Sequence, residues 1–195
     1  LEDAVINMRR SDSVWNYQFL VDYFTVPKAS DTAKGIELNI QKVDFKNVNF
    51  LKHDEWIGQN IVIRTGSLLL DADKIDLVNN SLHINSIELD KPYFRTENFE
   101  GKRKPVVRQI ALQKDTSLYF NAGGIDLAVG SITITNGYYA TGFTDAKSEK
   151  DLFNGRDIEF KKINGSIKNF SFIEDTIRAQ VKLNALERSG FEIRE

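Results

Sequence analysis

An internal repeat constrains the fold of this 195-residue chain more than any other feature. Residues 35–50, GIELNIQKVDFKNVNF, match residues 124–139, GIDLAVGSITITNGYY, with their apolar positions in register. A second pattern occurs three times, as LEDAVINMRR, LDKPYFRTEN and LERSGFEIRE, and these copies start at Leu1, Leu89 and Leu186. In arrays of this kind each unit buries its faces against its neighbours. We therefore expect about two units of a longer array.

The units have the sequence period of β-strands. Apolar and polar side chains alternate from residue 35 onward, and only three prolines interrupt the chain. Slips in the phase of this alternation, for example near Ser86, predict irregular positions within the strands. The sequence therefore predicts a mainly β protein: an elongated, curved antiparallel sheet of about two repeats, shaped like a trough.

The repeat boundaries divide the chain into four expected parts. Residues 1–34 would hold the end of a preceding repeat and a helix, residues 35–98 the first β-repeat, residues 99–123 a connecting segment, and residues 124–195 the second β-repeat. The second step of the repeat is longer than the first, and we assign the extra length to the charged loop at residues 144–150. Because the chain starts and stops at one phase of the repeat, it has the organisation expected of a fragment.

One N-terminal stretch has helical periodicity. Its aromatic side chains recur at every fourth position, at Trp15, Phe19 and Tyr23, after a candidate N-cap at Asp12 or Ser13. The pattern predicts one short amphipathic helix near residues 13–25, with its aromatic face packed on the end of the sheet.

Composition excludes several classes of function. The chain has 26 Lys and Arg against 28 Asp and Glu, and it has no basic stripe that would bind nucleic acid. No window approaches 18 consecutive apolar residues, so these residues contain no predicted transmembrane helix. The absence of cysteine excludes disulfides, thiolate nucleophiles and zinc–thiolate sites.

Few residues are candidates for catalysis or metal binding. The only two histidines, His53 and His83, lie in separate segments without a nucleophile motif. Asp71, Asp73 and Asp76 resemble part of a calcium loop, but the required glycine and the final glutamate are missing. We therefore expect no catalytic residues, no metal and no cofactor.

Four segments together carry a family resemblance. They are, in order, WNYQFLVDYF, GIELNIQKVDFKNVNF, LHINSIELDKPYFR and DTIRAQVKLNALERSGFEIRE. In this order and spacing they resemble the N-terminal repeat region of TamB-like translocation and assembly module proteins, relatives of the AsmA family. The resemblance spans nearly the whole chain and is weakest at residues 102–120.

The resemblance implies a location and a function. Proteins of that family are anchored in the inner membrane and cross the periplasm of double-membraned bacteria as a trough of β-repeats with an apolar inner face. The trough is thought to carry phospholipid toward the outer membrane. An alternative role is a scaffold for outer-membrane protein assembly or autotransporter secretion, together with an outer-membrane barrel partner. The family has no catalytic residues.

The alternation and the resemblance together give a set of candidate site residues. We expect phospholipid acyl chains to contact one aliphatic face of the sheet, and adjacent repeats of the full-length chain to extend it. The predicted lipid-facing residues are Ile36, Leu38, Ile40, Ile125, Leu127, Val129, Ile132, Ile134, Val181 and Leu183. If the chain is instead a scaffold, its working feature would be the unpaired edge strands, which would bind a client by adding a strand.

Overall fold

A computed structural model describes residues 1–19, 41–76, 79–104, 121–146 and 152–194. The predicted β class is confirmed, because the described elements are nine strands of one sheet. The strands are β1 (Val5–Arg10), β2 (Lys42–Asp54), β3 (Gln59–Asp76), β4 (Ser81–Asp90), β5 (Tyr93–Asn98), β6 (Asp126–Phe143), β7 (Asp157–Ile173), β8 (Thr176–Glu187) and β9 (Glu192–Ile193). No helix among the described residues is long and apolar enough to cross a bilayer.

The sheet is mixed, whereas the sequence predicted an antiparallel one. Its order is β1-β2-β3-β4-β6-β7-β8-β9, and β5 continues the line of β4 between β3 and β6. The pairs β2–β3, β3–β4, β3–β5, β6–β7, β7–β8 and β8–β9 are antiparallel, whereas β1 pairs parallel with β2, and β4 and β5 pair parallel with β6. The parallel partners β1 and β2, and β5 and β6, are joined by residues 11–41 and 99–125. Connections of this length allow the next strand to run in the same direction.

The predicted N-terminal helix is not seen in the described residues. Trp15 forms a bridge with Arg10, the next two residues form a turn, and only residues 18 and 19 have helical backbone. The Asn16 side chain accepts a hydrogen bond from Arg9 N–H at 2.8 Å and donates one to Asn7 C=O at 3.0 Å. These bonds hold the segment against β1 and compete with a helical turn there. Residues 20–25 of the predicted helix lie outside the described residues.

The first two copies of the second repeat pattern occupy equivalent places. Asp3 and Lys91, each the third residue of its copy, both have left-handed backbone, with φ of 49°. The strand that follows each of them, β1 or β5, pairs parallel with the next strand. The third copy differs, because its strand β9 folds back antiparallel on β8. The connection between β6 and β7 is longer than that between β2 and β3, at the place where the sequence predicted the extra residues.

An ion pair fastens β1 to the sheet. The Asp54 side chain is fully buried and accepts hydrogen bonds from Arg10 Nε at 2.9 Å and Nη2 at 2.6 Å. It also accepts hydrogen bonds from the backbone N–H groups of Trp56 and Ile57, and these bonds fix the turn after β2. Burial alone would raise the pKa of the Asp54 carboxyl, but these hydrogen bonds, with the charges of Arg10 and Lys52, outweigh it and lower the pKa.

We expect Arg10→Ala to lower the free energy of unfolding by about 2 kcal/mol, because it leaves the buried carboxylate with fewer partners. The Asp54 carboxyl has a lower pKa in the folded than in the unfolded protein. Its contribution to stability is therefore present near neutral pH and is lost as the pH falls through the pKa of the folded state. Urea unfolding at pH 7 and pH 3 measures both effects. The difference between variant and parent should shrink at pH 3. Arg9→Ala, on the exposed neighbour, is the control and should change little.

Candidate functional site

Register brings the aliphatic side chains of six strands into line. Each strand has apolar residues at alternate positions, and the pairing places them opposite one another, so that they form rows running across the strands. Row 1 is Val43, Leu70, Ile87, Ile132, Ile167 and Val181. Row 2 is Phe45, Leu68, Leu89, Ile134, Gly165 and Leu183. Neither row contains a charged or hydrogen-bonding side chain.

Two further apolar rows continue this surface beyond row 1, on the side away from row 2. They are the row Ala72, Ile84, Val129 and Phe170 and the row Ile75, Leu82, Leu127, Phe172 and Ile177. Because Leu68, Leu70 and Ala72 occupy alternate positions of β3, the Ala72 row lies on the same side as rows 1 and 2. The Ile75 row lies on that side too, because its member Leu82 alternates with Ile84 of the Ala72 row along β4. We call this side the apolar face.

The positions between rows 1 and 2 point to the other side of the sheet, which we call the polar face. The intervening row is Asp44, Leu69, Glu88, Thr133, Ser166 and Lys182. Leu69 is its only aliphatic member, and it is 44% exposed. The contrast between neighbouring rows makes the sheet strongly two-sided.

The structure places the predicted site residues as follows. Leu127, Val129, Ile132, Ile134, Val181 and Leu183 all lie in the rows of the apolar face. Ile125 precedes β6 and is 38% exposed. Ile36, Leu38 and Ile40 lie outside the described residues. Whether any of them contacts lipid stays a prediction.

A row that the sequence did not predict lies beyond row 2, on the side away from row 1. It contains Ile6, Phe50, Ile63, Phe94, Tyr139 and Phe160. The Phe94 and Tyr139 rings are stacked, with centroids 5.6 Å apart. A Cβ on Gly137 would lie 3.0 Å from Cγ2 of Ile134, which is in row 2, so position 137 faces the same side as row 2. Tyr139 is two residues further along β6 and therefore faces that side as well. The repeated aromatic positions at the ends of the two matching segments were the available signal.

Left-handed residues help to keep the apolar side constant along β2 and β6. Asn47 and Asn136 have φ of 50° and 52° within β2 and β6, and they occupy matching positions of the repeat. A left-handed residue reverses the alternation of side chains, so the apolar positions resume on the same side after it. A second irregularity lies in the pairing of β4 with β3, where Asn85 of β4 has no opposite residue. It is adjacent to Ser86, where the sequence predicted a slip.

The described part of the sheet is a single layer. Every contact between its elements joins hydrogen-bonded neighbours, so the described strands do not fold into a second layer over the apolar face. Its buried hydrophobic residues are only Val48, Ala72, Val129, Ala140 and Ala185. At the β8 end of the rows, Ile177 is 65% exposed and Val181 is 58% exposed. Within the described residues the apolar face is therefore open.

The rows are long enough to hold an acyl chain. Six adjacent strands span about five intervals of ~4.8 Å, so each row is roughly 24 Å long. One leaflet of a bilayer core is about 15 Å thick, since the whole core is about 30 Å. An extended acyl chain could therefore lie along a row, perpendicular to the strands.

The polar face carries networks of side chains that satisfy one another. The His53 ring nitrogens contact Asn60 Oδ1 at 2.6 Å and Glu55 Oε1 at 3.1 Å, and His83 Nε2 contacts Asp126 at 2.9 Å. No group of three His, Cys, Asp or Glu side chains that could hold a metal ion occurs in the part of the chain that the structure describes. These contacts are those of structural histidines on a solvated face.

A stacked tyrosine pair lies on the polar face. The ring centroids of Tyr93 and Tyr138 are 4.5 Å apart, and the two ring planes are nearly parallel, with an angle of 3° between them. Tyr138 Oη donates a hydrogen bond to Glu159 at 2.8 Å. Burial of the phenol, together with this bond to a carboxylate, raises the pKa of Tyr138 to about 12. Tyr138 is therefore neutral at physiological pH and joins β5, β6 and β7.

Comparison of the chain with protein-family models, with curated proteins and with solved structures found no match.

Proposed function

We propose that the chain is a non-enzymatic segment of a bridge-like protein that carries phospholipid through an apolar β-trough. In this proposal the protein is anchored in the inner membrane and the segment lies in the periplasm. The proposal follows the resemblance to the TamB-like repeat region and depends on one structural observation. Rows 1 and 2 cross six strands without a polar side chain to interrupt them.

The direction of the rows supports transport along the repeat axis. Acyl chains aligned with the rows would pass from one repeat to the next, because the rows extend across the junction between β4 and β6. Each methylene that the face removes from water contributes about 0.8 kcal/mol, and aliphatic walls favour no single position along the row. The proposal includes a curved sheet, because a trough must bend. The left-handed residues Asn47 and Asn136, at matching positions of the repeat, would supply the bends.

The second candidate function is the scaffold for outer-membrane protein assembly or autotransporter secretion. The observation that favours it is the outer edge of β8, where Thr176 to Val181 have no neighbouring strand in the described part of the chain. In both candidates the partners include adjacent repeats of the same protein and an outer-membrane barrel protein, and no catalytic residue is needed.

Charge on the apolar face distinguishes the two candidates. In the full-length protein, we expect Leu127→Glu to abolish rescue of outer-membrane defects while expression and export are retained. A carboxylate in the row would have to lose its hydration whenever an acyl chain passes. Thr133→Glu is the matched control on the polar face and should rescue fully. Full rescue by an exported Leu127→Glu protein would contradict the lipid proposal and favour the scaffold.

A further inference from the structure

A cleft of about 390 Å³ lies on the polar face, across β1, β2, β3 and β5. Its floor contains Leu51 of β2 and Val62 of β3, which are directly opposite each other. The same row continues to Asn7 of β1 on one side and to Arg95 of β5 on the other. This row is one residue along each strand from the row of Phe50 on the apolar face, so it points to the other side. The volume is within the range of about 300–1,000 Å³ that is typical of small-molecule sites.

A network of hydrogen-bonded side chains forms one side of this cleft. The His53 ring contacts Asn60 Oδ1 at 2.6 Å, and Asn60 Nδ2 donates a hydrogen bond to Glu97 Oε2 at 3.2 Å. The other oxygen of Glu97 lies 3.6 Å from the Arg95 guanidinium. Each of these side chains is held by a neighbour, and the charge of Arg95 is balanced by that of Glu97. This side of the cleft is therefore already built before any ligand binds.

Arg9 supplies a charge to the cleft that is not balanced in this way. Its side chain is exposed, and its guanidinium has no hydrogen-bond or ion-pair partner among the residues that the structure describes. Its backbone is fixed, because its N–H donates to Asn16 Oδ1 at 2.8 Å and its C=O accepts from Asn16 N–H at 2.9 Å. The next residue, Arg10, is held by the buried Asp54. Arg9 is thus a positioned cation beside an apolar floor.

We propose that this cleft binds a small organic monoanion, namely a carboxylate with a compact apolar body. The carboxylate accepts hydrogen bonds from the Arg9 guanidinium, whose planar fork matches two carboxylate oxygens. The apolar body covers Leu51 and Val62. Charge favours a monoanion, because Arg9 contributes one positive charge while the charges of Arg95 and Glu97 cancel. The site lies on the opposite side of the sheet from rows 1 and 2, so it does not depend on lipid transport.

Two probes of the same shape that differ in charge test the proposal. They are cinnamate, which has a carboxylate and a compact apolar body, and cinnamamide, its neutral amide. Each is titrated into the isotope-labelled parent protein, and the backbone amide signals are followed by NMR. We expect cinnamate to shift the signals of Leu51 and Val62 and to bind roughly tenfold more tightly than cinnamamide, because hydrogen bonds to a charged group are the stronger ones. This comparison uses the parent protein alone, so it does not depend on the folding of a variant.

Two variants assign the charge to Arg9. We expect Arg9→Gln to weaken cinnamate binding roughly tenfold and to leave cinnamamide binding unchanged, because it removes only the charged partner of the carboxylate. Arg64→Gln is the matched control, since Arg64 is also an exposed arginine on the polar face, beside the Tyr93 ring, and it does not line the cleft. It should bind cinnamate as the parent does.

Four results would overturn the proposal. Equal affinity of the parent for cinnamate and cinnamamide, or parent-like binding of cinnamate by Arg9→Gln, would show that Arg9 does not bind the carboxylate. An equal loss of binding in Arg9→Gln and Arg64→Gln would show attraction by surface charge without a site. Shifts at Leu70 in place of Leu51 and Val62 would place the ligand on the apolar face. No shift at all would show that the cleft binds no such monoanion.

Discussion

Leu70→Lys is expected to weaken phospholipid binding roughly 100-fold, a loss of about 3 kcal/mol. Leu70 lies in row 1, between Val43 and Ile87 on the neighbouring strands. An ammonium group there would have to be desolvated by any acyl chain that lies along the row. Titration with a phospholipid that carries a fluorescent acyl chain measures the change, and circular dichroism checks that the sheet is retained.

Leu69→Lys is the matched control, since it makes the same substitution one residue away on the polar face. Leu69 is opposite Asp44 on one neighbour and Glu88 on the other, so a lysine there gains two carboxylates across the strands. We expect unchanged lipid binding and unchanged or slightly higher stability. Equal loss of binding in both variants would mean that charge acts without regard to the face, and the account of the apolar face would be wrong.

Gly130→Ala is expected to lower the free energy of unfolding by about 3 kcal/mol. A Cβ on Gly130 would lie 2.6 Å from the Asn85 carbonyl oxygen on the adjacent strand. The carbonyl oxygen belongs to the backbone of β4 and the added Cβ is bonded directly to the backbone of β6, so neither can move away without separating the two strands at the junction. Urea unfolding measures the loss.

The control for this prediction is Gly123→Ala. The nearest atom to its Cβ would be 3.9 Å away, at ordinary contact distance. We expect a change within about 0.5 kcal/mol, as for a surface position without special features. If Gly130→Ala were as stable as Gly123→Ala, the two repeats would be joined less closely than the structure indicates.

Periodicity predicted the strands well because each has one apolar side and one polar side. It could not predict strand direction, because alternation is the same for parallel and antiparallel neighbours. The helix predicted near residues 13–25 is not seen in the described residues, and this has a different reason. The Asn16 side chain accepts a hydrogen bond from Arg9 N–H and donates one to Asn7 C=O, which fixes that segment against β1. Such contacts have no signal in hydrophobic periodicity.

The candidate site was partly predictable for the same reason as the fold. Ile132 and Ile134 were identified because the repeat and the alternation agree at these positions, and the structure places both on the apolar face. Their partners in the rows depend on register, which is set by turns and by left-handed residues such as Asn136. The third copy of the repeat pattern does not occupy the same kind of place as the first two, because a turn at Arg188 and Ser189 folds β9 back onto β8.

Native mass spectrometry of the chain, purified from a bacterial periplasm and followed by lipid extraction, tests the central claim most directly. The account predicts phospholipid bound to the parent protein and to Leu69→Lys, and its absence from Leu70→Lys. A parent protein without lipid, or one whose bound lipid is retained in full by Leu70→Lys, would contradict it.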